Sequence, residues 1–356
     1  MILDTLKVYR LAYRLYFQNA PLFTRVLCAF RLIRHRFSRI TAPISIMIGL
    51  TYRCQCRCRH CGMELFRSPG DEELSTQEVK SVISAARRLG AVEITLFGGE
   101  PLLRNDLEEI IGHARKLRML PSLDTNGLLL SPGKIESLKA AGLTAVKVSL
   151  DSPDAAEHDR LRGVEGCFKK ALDGIRGALK QGLSCAISTY ATRENVQSGN
   201  LQKLIRLGRN LGVTAVRIID TTLSGCFLNA LPRQLAPPER EELARLLEPG
   251  FVFLENLASA RALTHPICSA LARRYIYVSP YGDLQPCCFV PLSFGNIRRE
   301  PLKIITRRLW NSSLMQYDSG QCLMNNPKFR ERLVPAIRAA KTLPLIFDES
   351  LYYNQR

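Results

Sequence analysis

No stretch of about 18 or more apolar residues occurs in the 356-residue chain, so a membrane-spanning helix is not expected. The pattern of a secretory leader is missing too, because the apolar runs near the start are short and arginines interrupt them. Simple repeats and long low-complexity tracts are lacking. Acidic residues are in short supply: 32 Asp and Glu stand against 50 Lys and Arg, a net charge of +18. That excess favours anionic partners, without choosing between a membrane surface, a nucleic acid and a phosphorylated substrate. Cysteine, by contrast, is abundant at twelve residues. With no leader, a reducing cytoplasm is the expected compartment, and there clustered cysteines are more often metal ligands or catalytic groups than disulfides. The remaining composition, 46% apolar and 23% charged, is that of a globular chain able to bury a large core.

Residues 1–43 read as a basic amphipathic helical segment, two helices split near Pro21. Leu3, Leu6, Tyr9, Tyr13 and Tyr16 keep helical spacing, as do Leu22, Val26, Phe30 and Ile33. Lys7, Arg10, Arg14, Arg25, Arg31, Arg34, Arg36 and Arg39 face only one acid, Asp4. An apolar face beside a cationic one suits an anionic membrane surface; a helical cap with solvated charges is the alternative. From residue 44 strands and helices alternate. "ISIMIGL" (44–50), "VEITLF" (92–97), "LPSLDTNG" (120–127), "AVKVSL" (145–150), "SCAISTY" (184–190) and "AVRIID" (215–220) read as strands, the third ending in a turn. Between them fall helical patterns, one opening at about Ser75 and stopping at Gly90. Six such units predict a parallel sheet with outer helices. They are too few for an eight-fold barrel and match an open, partial (β/α)6 TIM-like barrel over 44–230, with a doubly wound sheet as the alternative. "LPRQLAPPEREEL" (231–243) marks a boundary, and 231–265 is expected to be a linking helical segment. A smaller α+β extension over 266–325 and a basic tail over 326–356 complete the expected organisation.

"TYRCQCRCRHC" (51–61) concentrates the chemistry. Cys54, Cys58 and Cys61 form C-x3-C-x2-C on a loop directly after a strand, and such a loop can curl its thiolates around one small cubane. Iron–sulfur cubanes take cysteine ligands, ordinarily four, so three would leave one iron open to an external group. Cys56 is out of phase and is expected to point away. A zinc site is the alternative, using the four cysteines, or Cys54 and Cys61 with partners elsewhere, and His60 could also be a ligand, although no second C-x2–4-C pair lies nearby.

A strand, C-x3-C-x2-C, then "FGGEP" (97–101) after the next strand resembles the radical S-adenosylmethionine (SAM) superfamily, over roughly residues 44–222. The resemblance implies a [4Fe–4S] cluster on Cys54, Cys58 and Cys61, with the amino and carboxylate groups of SAM on its open iron. It implies that Gly98 and Gly99 let backbone approach a ligand closely and that Glu100 meets the SAM ammonium. His60 takes the place of a residue that packs by the adenine, where an aromatic is commoner. Asn126, Ser149 and Asp151, at the ends of the next two strands, are candidates for the SAM or substrate pocket, or else simple helix caps. In "EHDRLRG" (157–163), Arg160 or Arg162 could pair with a carboxylate of SAM or substrate, or form surface salt bridges.

Cys268 and "GDLQPC" (282–287) resemble the opening of the SPASM and twitch extensions, with a hairpin turning at Tyr281-Gly282-Asp283 and a helix ending in Trp310. The resemblance implies an auxiliary iron–sulfur cluster on Cys268, Cys287 and Cys322, with Cys288, another side chain or an open site as the fourth position. Only Cys322 follows position 288, so the shorter, one-cluster twitch form is the better match. Cys28, Cys167, Cys185 and Cys226 read as single buried thiols. The implied activity is reductive cleavage of SAM to a 5′-deoxyadenosyl radical that takes hydrogen from a substrate. A low-potential donor such as a flavodoxin or ferredoxin would supply the electron. The substrate is expected to be a small molecule or lipid, with a peptide- or protein-modifying maturase as the alternative. A non-enzymatic zinc- or nucleic-acid-binding protein is the rival of another class, but nucleic acid is not the expected partner, because the charge is dispersed or N-terminal and "GGEP" would go unexplained.

Overall fold

The computed structural model describes residues 2–37, 42–67, 71–255, 268–318, 320 and 322–349. Its frame is a parallel sheet of β1 (Ser45–Gly49), β2 (Glu93–Phe97), β3 (Leu120–Thr125), β4 (Ala145–Ser149), β5 (Ser184–Ala191) and β6 (Ala215–Asp220), each paired with the next. Between them run α3 (Thr76–Leu89), α4 (Leu107–Lys116), α5 (Pro132–Ala141), α6 (Ala155–Arg162), α7 (Cys167–Lys180), α8 (Arg193–Gln197) and α9 (Asn200–Leu211). These are the six expected units. The start of α3 shows why their ends were legible. Ser75 and Glu78 form a reciprocal capping box, and Gly90 closes the helix at φ 115°. Val79, Val82, Ile83 and Ala86 line its buried face at helical spacing.

The sheet is wider than six strands. After α10 (Pro237–Leu246), β7 (Val252–Leu254) pairs in parallel with β6 inside a segment expected to be helical. Three residues are too few to declare a period of two. Residues 256–265 of that segment, with 266 and 267 after it, lie outside the described residues. On the other edge β8 (Tyr275–Val278) pairs in parallel with β1, and β9 (Leu284–Gln285) folds back antiparallel through the expected turn. The order is β7-β6-β5-β4-β3-β2-β1-β8-β9. Then come β10 (Leu292–Ser293) and α11 (Leu302–Asn311), which buries Trp310. The region read as a basic tail holds α12 (Pro327–Ala339) and β11 (Leu345–Ile346), the latter paired in parallel with β10.

Parallel strands put all their N-terminal ends on one side. There α1 (Ile2–Ala12), a π-helical turn over Tyr13–Phe17, and α2 (Leu22–Phe37) close the barrel. Leu11 and Leu15 pack on Ala145, Ala186, Ala215 and Phe253, and Cys28 packs with Val92 and Leu120. Asn19 Nδ2 donates to the Thr144 carbonyl at 3.0 Å and to Ser184 Oγ at 2.9 Å. Above this plug the lumen is polar. Asp124 pairs with Arg217 at 2.6 Å and Lys147 at 3.1 Å, all three buried, and Tyr16 lies against Lys147. The C-terminal ends of the parallel strands, and so the cysteine loop, lie on the opposite side, where parallel barrels carry their active sites.

Candidate functional site

The cysteine loop leaves β1 and is zipped to the loop after β2. Gly99 N donates to the Thr51 carbonyl at 2.7 Å and Glu100 N to the Arg53 carbonyl at 2.8 Å. A Cβ at Gly98, whose φ is 144°, would fall 2.2 Å from the Thr51 carbonyl oxygen, and one at Gly99 2.4 Å from that of Arg53. The two glycines therefore make room for the cysteine loop itself, a tighter demand than approach to a ligand.

Glu100 is fully buried, and its carboxylate is already engaged. Oε1 accepts from Thr125 Oγ1 at 2.7 Å and Leu102 N at 3.1 Å, and Oε2 from Asn126 N at 2.8 Å. Burial raises its pKa to about 7 against these hydrogen bonds. The geometry makes it a strut between β2 and β3 whose side chain is spent inside the protein. What it holds in place is Asn126, which directs Nδ2 at Cys54 Sγ (3.8 Å) and Gln55 Oε1 (3.3 Å).

A second clamp comes from β4 and α6. Asp151 is buried, 2.7 Å from Arg162 Nε and 3.4 Å from His60 Nε2, and its Oδ1 has no hydrogen-bond partner. Burial would raise its pKa, but the charges of Arg162, His60 and His158 outweigh that and hold it below the ordinary carboxylate range. Arg162 also reaches Cys58 Sγ at 3.6 Å. Arg160, its rival from the sequence, faces outward and pairs with Glu157 at 2.5 Å. His60 is buried 4.6 Å from the Tyr190 ring, ring centre to ring centre, and burial lowers its pKa to about 4. Ser149, half-buried, ends β4 beside Ser188 of β5. Thus His60, Asn126 and Asp151 converge on the cysteine loop, with Glu100 behind them.

Cys56 does not point away, as its phase had suggested. Its buried thiol hydrogen-bonds those of Cys54, Cys58 and Cys167. Those bonds lead in lowering Cys54 to about 6, with help from Asn126, and in lowering Cys58, with help from Arg162; burial raises Cys61 to about 11. Cys167 is accordingly no isolated thiol, and Cys226 is exposed rather than buried. Sequence reasoning missed Tyr190, His158 and Thr125. Their one signal was position, at a strand end or within "EHDRLRG".

The second cysteine group also assembles. Cys287 and Cys322 are raised first by burial and then by the neighbouring thiols, Cys268 acting on both. Cys288 is buried and packs with Met47, Tyr52 and Tyr277. Among the described residues no three His, Cys, Asp or Glu side chains close on a point that a single metal ion would occupy; in a cubane each thiolate binds a different iron, so its ligands do not meet at one point. Soft thiolate sets with a buried, unsatisfied Asp151 oxygen beside them suit an iron–sulfur cluster and a polar ligand.

Comparison with known proteins agrees. Residues 48–204 match the model of the radical SAM superfamily, and 268–337 that of the SPASM iron–sulfur cluster-binding domain. Among curated proteins the chain is similar to the AdoMet-dependent heme synthase of Nitratidesulfovibrio vulgaris, 27% identical over 287 residues, covering 73% of this chain and 77% of that protein. It is similar also to the PqqA peptide cyclase of Xanthomonas euvesicatoria, 27% identical over 285 residues and covering 76% and 74%. The fold resembles that of Streptococcus suis SuiB bound to the precursor peptide SuiA, with a TM-score of 0.64 and 16% identity over 92% of this chain and 80% of that one. Within 268–337 the cysteines are Cys268, Cys287, Cys288 and Cys322. Matched motifs, folded core and second cysteine group lead to one conclusion: the chain belongs to the radical SAM superfamily and is an iron–sulfur, SAM-dependent enzyme with an SPASM domain on its C-terminal side.

Proposed function

We propose that Cys54, Cys58 and Cys61 hold the SAM-binding [4Fe–4S] cluster, that Cys268, Cys287 and Cys322 hold the auxiliary one, and that the substrate is a small molecule. The cofactors, when bound, supply one-electron cleavage of SAM and abstraction of hydrogen from an unactivated carbon. One observation carries the ligand assignment. Asn126 after β3 and Arg162 at the end of α6 each direct a donor at a different thiol of one loop, Cys54 and Cys58. Donors to a thiolate stabilise the ligating form. Glu100 keeps Asn126 in place from behind, while Asp151, with one oxygen unpartnered, is the acceptor offered to an ammonium or hydroxyl of SAM. His60 and Tyr190 form a wall on which an adenine could stack. Electrons would come from a low-potential donor such as a flavodoxin or ferredoxin.

For the substrate, every described residue belongs to the barrel, its helical plug or the SPASM side, and no separate β-rich peptide-binding fold is among them. The similarity to a heme synthase supports the small-molecule reading. A peptide is the second reading, supported by the equal similarity to a peptide cyclase. A lipid substrate is not favoured, because the basic helices lie at the far end of the barrel from the cysteine loop.

Deoxyadenosine formation by the anaerobically reconstituted protein tests the assignment. Cys54→Ala, Cys58→Ala and Cys61→Ala each abolish it, while Cys56→Ala keeps it; loss with Cys56→Ala and survival of one of the others reassigns the ligands. Acceleration by a low-molecular-weight filtrate of cell extract supports a small molecule. Acceleration only by a protease-sensitive retentate shifts the assignment to a peptide.

A further inference from the structure

Thirteen large apolar side chains stand exposed among the described residues, and eight of them lie on α1, the π-helical turn and α2. They are not scattered. Leu6, Tyr9 and Tyr13 follow one stripe, and Leu22, Val26, Phe30 and Ile33 follow another, on the sides of the helices opposite Leu11, Leu15 and Cys28, which pack on the barrel. So the hairpin is amphipathic twice over: its inner face plugs the strands' N-terminal ends, and its outer face is covered by none of the described residues. Arg25 fixes the angle between the two helices, donating to the Ala20 carbonyl at 2.6 Å, the Gln18 carbonyl at 2.7 Å and Tyr13 Oη at 2.7 Å. The outer stripes are thereby held in one orientation.

Charge identifies the occupant. Lys7, Arg10 and Arg14 are exposed on the first helical arm, and the only acid in residues 1–40 is Asp4. Exposed Arg118, which precedes β3, stacks its guanidinium 4.1 Å from the centre of the exposed Phe23 ring, so the barrel's own rim adds a cation to the patch. Exposed apolar side chains flanked by Lys7, Arg10, Arg14 and Arg118 complement lipid tails beneath anionic headgroups, and Glu248 is the acid that faces the first three of these cations. A protein partner would need a matching concave acidic surface, and no helix among the described residues is long and apolar enough to cross a membrane.

We propose that α1 and α2 dock this enzyme peripherally on an anionic phospholipid surface, with the N-terminal end of the barrel against the lipid. The consequence is directional. The cysteine loop sits at the other end of the strands, about 15–20 Å away for strands of this length, so the catalytic mouth faces away from the bilayer and takes its substrate from the aqueous side. This docking does not depend on the identity of the substrate.

Flotation of the reconstituted full chain with vesicles tests it. The chain is expected to float with phosphatidylcholine–phosphatidylglycerol vesicles and not with phosphatidylcholine alone, and raised salt releases it. The double variant Val26→Glu with Phe30→Glu stays at the bottom while its deoxyadenosine formation in solution is unchanged. The orientation is read from Phe30→Trp, whose emission shifts to the blue on anionic vesicles over the background of the single native Trp310, whereas Leu129→Trp, after β3 at the opposite end, does not shift. Failure to float with either vesicle overturns the proposal, as does equal flotation with both. A dimer that the double variant dissolves, without vesicle binding, assigns the face to a second copy. A shift at Leu129→Trp in place of Phe30→Trp overturns the orientation.

Discussion

Arg162 and Asp151 form the pair on which the cysteine loop leans. Replacing Arg162 with Met leaves the buried Asp151 carboxylate without its main cation. Breaking such a pair costs roughly 3–5 kcal/mol. The expected outcome is a lowered thermal midpoint, and a cluster reduction potential moved to more negative values by loss of the cation 3.6 Å from Cys58, read by redox titration followed by EPR; Arg162→Lys restores part of both. Glu100→Gln deprives at least one of three buried donors, from Leu102, Thr125 and Asn126, of its acceptor. An unsatisfied buried group costs about 1–3 kcal/mol, and Asn126 is freed. Equilibrium dialysis should show weaker SAM binding, because Asn126 loses the acceptor that positions it. At this scale the spacing of Cys54, Cys58 and Cys61 was legible because loop ligands are local in sequence. The roles of Glu100, Cys56 and Cys167 were not, since each depends on a partner brought from another strand or helix.

Among the elements, the link between β10 and α11 is fastened to α3 across the molecule. Arg298 Nε donates to Glu78 Oε1 at 2.6 Å. This hydrogen bond leads in lowering the Glu78 pKa from 4.5 to about 2. A depressed carboxylate contributes stability that is present in full above pH 4.5 and is lost as the pH falls toward 2. Glu78→Gln keeps the reach to Ser75 and removes the charge. The gap in thermal midpoint between wild type and variant should therefore be present at pH 7 and close between pH 4.5 and 2. The pair is a third exposed, so the gap is small. Capped helices and alternating strands were readable from the chain alone, since caps and periodicity are properties of consecutive residues. β7 and β11 were not, because strands of three and two residues exist only by virtue of the neighbours they pair with.

For the molecule as a whole, two cysteine groups on one frame imply separable losses. Cys287→Ser should lower iron per chain by the auxiliary complement alone and leave uncoupled SAM cleavage intact, while Cys58→Ala should abolish cleavage and spare the auxiliary iron; iron analysis beside deoxyadenosine assay checks both. By itself the sequence determined the class of chemistry and the barrel, because a three-thiol loop, a glycine pair after the next strand and six strand–helix units are written in local order. Tertiary structure alone decided which arginine of "EHDRLRG" meets a cysteine, that Cys288 packs against Met47, Tyr52 and Tyr277, and that the basic helices plug the end of the barrel opposite the cysteine loop. Those outcomes rest on contacts between residues far apart in the chain, and their geometry is set only when the sheet curls and its two ends become distinct.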